Sequence, residues 1–261
     1  MSQMIRVETQ SKRGTVLLTR PDLHNAFNDD MMRELTDAFT RLGADPAVRV
    51  IVLAAEGKSF CAGADINWMK RMVGYSLEEN IADSRVLSKM LRTIRECPKP
   101  VIARVHGATY GGGVGLVAAC DMAVALNKAN FCLSEVKLGI LPAVISPFVL
   151  EKIGPGEARR YALTAEVFNG AEARRIGLVN EACESVEEMD ACIDKLAGSL
   201  AANGPSALTH CKRILSEVAG VPWDRVEDIT TKKISELRVS PEGQEGLKAF
   251  LEKRKPNWIT E

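Results

Sequence analysis

Three consecutive glycines, Gly111, Gly112 and Gly113, stand between the apolar, strand-like run 100–105 and a run of small residues, 114–120, that reads as a helix. Glycine lets the backbone turn sharply and lets a ligand approach with no Cβ in the way. A strand, a glycine turn and a helix start in succession aim unpaired main-chain N–H groups at whatever lies in front of them. A second opening of the same kind is 56–65, EGKSFCAGAD, after the apolar run 48–54. Its small side chains leave the N–H groups of Ala62, Gly63 and Ala64 within reach of a ligand. The bland reading of the glycine triplet is that it only allows close helix-on-strand packing, and that of 56–65 is an ordinary strand-to-helix connector. Two N–H groups converging from loops that follow strands of one sheet form an oxyanion hole, which stabilises negative charge growing on an oxygen. Downstream lies a lone acid, Glu135, between Leu133 and Val136. At the surface it would be a solvated or ion-paired group. In an apolar setting its pKa rises towards the range useful for proton transfer at neutral pH. Tyr110 and Ser134 flank these residues and read as packing or turn positions, and His106, before the glycine turn, has the look of a general base.

The elements that must hold these residues follow from periodicity. Alternation in 5–9 and 15–19 around Gly14 predicts a half-buried hairpin. Asn28 caps a helix to about Gly43 with Met31, Met32, Leu35, Phe39 and Leu42 on one face, and 48–54 is a central strand. Ser76 with Glu79 forms a capping box for a helix to about Arg95, stopped by Pro98 and Pro100. Short strands follow at 122–125 and 130–132. From Gly154 the texture is helical, at 156–163, 171–176, 186–202, 205–218, 223–237 and 241–253, with one last strand at 178–181. The chain therefore reads as an α/β core with a helical carboxy-terminal part, divided as 1–200 and 201–261.

Lys plus Arg equals Asp plus Glu at 34 each, so no global field draws in nucleic acid or an anionic membrane. Seven cysteines without a CxxC pair read as free thiols of a reducing compartment, with the cytoplasm as the default. Three isolated histidines, 24, 106 and 210, argue against a histidine metal site. The amino-terminal stretch MSQMIRVETQSKRG has no signal-peptide core, and no uncharged run approaches the roughly 18 residues of a membrane span.

Taken together, RPDLHNAF (20–27), SFCAGADI (59–66), VHGATYGGGVGLVAACD (105–121), SEVKLGILPA (134–143), ARRYALTAEVFNGAEARRIGLVN (158–180) and EGLKAFLEKRKPNW (245–258) resemble the enoyl-CoA hydratase, or crotonase, superfamily, in order and across the whole chain. The resemblance implies a spiral of ββα units, a helical carboxy-terminal region that carries trimerisation, and a homotrimer or dimer of trimers. It implies an acyl-CoA substrate and no metal or other cofactor. By motif position the oxyanion donors are the N–H groups of Ala64 and Gly112, and Glu135 is a catalytic acid. Ala62, Ala64, Asp65, Ile66, Asn67, Gly111 and Gly112 line the acyl-CoA site, and Lys253 contacts CoA phosphate from a neighbouring subunit.

One departure matters. Hydratases of the superfamily usually carry a second glutamate two residues after the glycine triplet, where this chain has Gly115. Wording such as YGGGVGLVAACD and FCLSEVKLGILPAVISPFVL resembles bacterial hydratases of branched glutaconyl-CoA esters, such as 3-methylglutaconyl-CoA or its isohexenyl analogue. The substrate's second carboxylate would then position the water, held by Lys70 or Arg71. The alternative is a Δ3,Δ2-enoyl-CoA isomerase, for which one glutamate suffices. A third reading is a non-catalytic assembly or RNA-binding protein of the same fold, which retention of CAGAD, GGG and Glu135 and the lack of a large basic patch oppose.

Overall fold

A hairpin opens the fold, pairing β1 (Ile5–Gln10) with β2 (Arg13–Leu18) in antiparallel register from Ile5 opposite Leu18 to Gln10 opposite Arg13. The computed structural model describes residues 4–259, so the outermost residues of the two predicted regions, and the first three of the amino-terminal stretch, lie outside the described residues. The turn falls at Ser11 and Lys12, both at positive φ, and not at Gly14. Gly14 lies within β2, where a Cβ would stand 3.0 Å from Leu42 Cδ2. The hairpin is therefore turned by its polar pair, and Gly14 makes room for the first helix.

That helix, α1 (Asp29–Ala44), is capped as predicted, with the Asn28 side chain accepting from the Met31 N–H and the Met31, Met32, Leu35, Phe39 face buried. Next come β3 (Val50–Ala55), β4 (Ser59–Cys61), α2 (Ile66–Met72) and α3 (Leu77–Glu96), the last with both halves of the Ser76/Glu79 capping box in place. The chain continues through β5 (Val101–Val105), β6 (Ala108–Tyr110), α4 (Gly112–Ala119), β7 (Met122–Leu126), β8 (Asn130–Cys132) and a 3-10 turn over Glu135–Leu138. Then follow α5 (Ser146–Thr164), β9 (Phe168–Asn169), α6 (Gly170–Arg175), β10 (Glu181–Cys183) and α7 (Val186–Ala202). Three helices end the chain: α8 (Pro205–Glu217), α9 (Trp223–Val239) and α10 (Pro241–Leu251). The last strand lies at 181–183 rather than 178–181, because Leu178 and Val179 are spent on the turn leaving α6, both N–H groups bonding to Ala173 O.

Two sheets result. The larger has the order β1-β2-β3-β5-β7-β10, parallel from β2 onward; the smaller has β4-β6-β8-β9, with only β9 antiparallel. Successive strand pairs, β3/β4, β5/β6 and β7/β8, each place one strand in either sheet before a helical segment, which is the repeated ββα turn of the spiral. Strand β3 is buried at all six positions, as a central parallel strand must be. Sequence reading merged β4 into the 56–65 loop and missed β6. Both are three residues long, too short for a periodic signal.

Candidate active site

The two ligand-accessible loops do follow strands of one sheet, but the strands are β4 and β6 of the smaller sheet rather than β3 and β5. Their parallel pairing brings the loops side by side. A Cβ on Gly63 would stand 2.9 Å from Tyr110 O and 3.7 Å from Gly112 N, so the two turns abut. Gly63 has φ +91° and Gly111 φ +51° with ψ −120°, conformations that glycine adopts without a Cβ penalty. The other two glycines of the triplet answer to packing. A Cβ on Gly112 would lie 2.3 Å from Phe27 Cζ, and one on Gly113 2.3 Å from Cys61 O.

Main-chain accounting selects between the three N–H groups of the first loop. The Ala62 N–H donates to His24 O at 3.0 Å. The Gly63 N–H faces the buried Cys61 sulfur; burial pushes that thiol up to about 12, with the Gly63 N–H opposing. Ala64 N–H meets no acceptor among the described residues, although its neighbours do: Phe27 N–H donates to Gly63 O and Asp65 N–H to Phe27 O, both at 2.9 Å. Gly112, the first residue of α4, likewise has an N–H without an acceptor among the described residues, as the first turn of a helix leaves it. Ala64 and Gly112 thus offer two free donors from adjoining turns.

Asp65 fixes the first of them. Its carboxylate caps α2 by accepting from the N–H groups of Asn67 (2.7 Å) and Trp68 (3.3 Å), and its other oxygen accepts from Arg20 at 2.7 Å. Burial alone would raise the Asp65 pKa, but the Arg20 bond and the two main-chain N–H groups prevail and hold it below its ordinary value. Arg20 also donates to Ala26 O, and Asn25, fully buried, donates to Glu56 O and Ser59 O. The RPDLHNAF segment therefore clamps the CAGAD loop from beneath. Sequence reading named Asp65 as a lining residue; its carboxylate faces the clamp instead. Ile66 and Asn67 are exposed on the first turn of α2, and Ala62 and Ala64 are half-buried.

Glu135 opens the 3-10 turn after β8, and the Gly111 turn is its seat: a Cβ on Gly111 would be 3.2 Å from Glu135 Oε1 and 3.6 Å from its Cδ. Its Oε2 is buried with no hydrogen-bond partner among the described residues. Burial pushes its carboxyl above the ordinary value, against its own main-chain N–H. A desolvated carboxylate with a vacant oxygen therefore stands beside the Gly111–Gly112 turn. Ser134 Oγ lies 3.8 Å from the same Gly111 Cβ position. His106 bonds Gly57 O through Nε2 at 2.9 Å, a framework contact.

The side chains of three further predicted residues make no hydrogen bond or ion pair with Ala64, Gly112 or Glu135 among the described residues. Arg71 is exposed and paired with Asp29, whereas no ion pair or hydrogen bond among the described residues engages Lys70. Lys253 is exposed just beyond α10 at φ +54°, and no hydrogen bond or ion pair among the described residues ties it to 62–67.

Comparison with known proteins covers the same span. Residues 8–261 match the family model described as enoyl-CoA hydratase/isomerase. The chain is 36% identical to a crotonyl-CoA hydratase of Syntrophomonas wolfei, covering 98% of both chains. It is 32% identical to a peroxisomal Δ(3,5)-Δ(2,4)-dienoyl-CoA isomerase of Arabidopsis thaliana, over 98% of this chain and 96% of that one. The crystal structure of an enoyl-CoA hydratase from Shewanella pealeana superposes with a TM-score of 0.95 at 38% identity, over 98% of this chain and 96% of the other.

Proposed function

Because the chain belongs to the enoyl-CoA hydratase/isomerase family, we propose that it adds water across the α,β double bond of an acyl-CoA, with a branched glutaconyl-CoA such as 3-methylglutaconyl-CoA as substrate. The supporting observation is the desolvated Glu135 carboxyl, its Oε2 vacant, beside the free N–H of Gly112 and the adjoining Ala64 turn. Hydroxide transfer to Cβ pushes electrons onto the thioester oxygen. The Ala64 and Gly112 N–H groups stabilise the enolate oxygen as its charge develops, commonly the largest catalytic contribution. Glu135 takes the water's proton as the C–O bond forms and returns it to Cα as the enolate collapses, so the carboxylate ends as it began. No cofactor enters beyond the CoA of the substrate.

One carboxylate can serve this route only if something else holds the water. A glutaconyl ester carries its own second carboxylate, and Lys70, which has no hydrogen-bond or ion-pair partner among the described residues, is the cation to receive it; Arg71 is occupied by Asp29. Residues 62–67 receive the CoA moiety, with Lys253 of a neighbouring copy on its phosphates in a homotrimer or dimer of trimers. The free cysteines suit a reducing compartment such as the cytoplasm.

The second reading is a Δ3,Δ2-enoyl-CoA isomerase. Gly115 favours it, since a single carboxylate moves a proton between two carbons of the same enolate without water. Incubation in H₂¹⁸O with 3-methylglutaconyl-CoA and, separately, a 3-enoyl-CoA separates the two. A 3-hydroxyacyl product carrying ¹⁸O supports the hydratase; a displaced double bond with no added oxygen establishes the isomerase and overturns it.

A further inference from the structure

Gly115 lies one helical turn after Gly111, its N–H directed at Gly111 O. Residues four apart share a helix face, and each Cα–Cβ bond tilts towards the helix N-terminus. A side chain at 115 would leave α4 towards Ile145 and Leu91, from the position where the superfamily resemblance puts a hydratase's second glutamate. That direction is already filled. A Cβ on Gly115 would meet Ile145 Cγ2 at 2.3 Å and Ile145 Cβ at 2.9 Å, with Leu91 Cδ1 at 3.6 Å. Ile145 is 2% exposed and Leu91 fully buried.

Ile145 cannot swing aside. Its Cβ, which is fixed to the backbone, is itself one of the colliding atoms. That backbone is held where the chain enters α5: Ala143 N–H donates to Leu141 O, Ser146 N–H and Oγ to Ala143 O, and Val149 N–H to Ile145 O. We propose that Ile145 is a specificity-determining residue: seated on Gly115, it closes the position from which a second protein carboxylate would reach the reacting atoms, and so commits the site to one acid. The inference rests on the one-carboxylate reading above. It deepens that reading, because a site closed in this way favours substrates that bring their own carboxylate and disfavours plain 2-enoyl-CoA esters.

Three full-length variants test it: Gly115→Glu, Ile145→Gly and the double change. Alone, Gly115→Glu overpacks the contact and lowers Tm by about 10 °C or more, or does not fold. Ile145→Gly makes the room, so the double variant melts above Gly115→Glu, the two changes compensating instead of adding. Relative to the unmodified protein, the double variant hydrates crotonyl-CoA at least about tenfold faster and shows a second acidic inflection in its pH profile. Ile145→Gly supplies an independent arm: formate, entering the vacated space, accelerates its crotonyl-CoA hydration saturably and leaves the unmodified protein unchanged. Additive losses in Tm, a Gly115→Glu variant as stable as the parent, or no formate effect overturns the proposal. The H₂¹⁸O experiment on the unmodified protein addresses the hydratase reading separately, while the Tm coupling tests the seating of Ile145 whichever reaction the protein performs.

Discussion

Glu135 must be ionised to accept a proton, yet its burial penalises the ionised form. The sign follows: a folded-state pKa above the unfolded value gives stability that is present below the unfolded value and lost as pH rises through the folded one. Glu135→Gln should therefore melt higher than the parent at pH 8 and no higher at pH 4, as differential scanning calorimetry at the two pH values would show. The same substitution should lower kcat by roughly 10²-fold or more, the usual scale of a lost acid–base group, with little change in KM. In the parent, kcat/KM should fall as pH drops through an inflection above the normal glutamate range, and the inflection should vanish in the variant. An unshifted inflection near pH 4.3 would mean that Glu135 is solvated in solution. Glu135 was legible as a candidate through the resemblance that SEVKLGILPA carries, but its environment was not, since burial of Oε2 depends on where the 3-10 turn packs against Gly111.

At the scale of elements, the site is two loop ends held in contact by short strands, and the clamp beneath them is the part sequence reading saw least. The Arg20–Asp65 pair is buried, with side-chain exposures of 14% and 6%. Removing one partner of a buried pair costs roughly 3 kcal/mol, which for a chain of this length lowers Tm by roughly 6–12 °C. Arg20→Ala should show that loss by thermal melting. It should also lower kcat more than it raises KM, because the Ala64 N–H, fixed on either side by the Phe27 bonds, loses the support of Asp65. The depressed Asp65 pKa adds an acid limit: its contribution is present above the unfolded pKa and disappears as pH falls through the folded one. Long amphipathic helices were legible because their buried face repeats over many residues; α1 and α7 lie within a residue of their predicted ends. Strands β4, β6 and β9 were not, since two or three residues set no period, and their pairing across 22 to 49 positions of chain is a tertiary fact. Packing by the glycine triplet was legible; that Gly112, Gly113 and Gly115 pack on Phe27, Cys61 and Ile145 was not, for the same reason.

At the scale of the whole molecule, the carboxy-terminal helices carry apolar side chains that this chain leaves uncovered. Leu215, Trp223, Val239, Phe250 and Leu251 are all at least 67% exposed, and neither α8 nor α9 contains a buried residue. Each helix is amphipathic in sequence, so a face of each is built for burial that the monomer does not provide. Association through these faces would also bring Lys253, two residues beyond Leu251, close to a neighbouring copy. Light scattering coupled to gel filtration should give three or six times the 28.4 kDa chain mass. Phe250→Asp with Leu251→Asp should shift the protein to smaller species, since a charge buried at an apolar contact is costly. Those species should lose acyl-CoA affinity, read as a raised KM, if Lys253 acts across the contact. Lys253→Glu should raise KM in the intact assembly without changing its mass. A monomeric parent with unimpaired activity would show that the exposed faces serve another purpose and that the acyl-CoA site is complete within one chain.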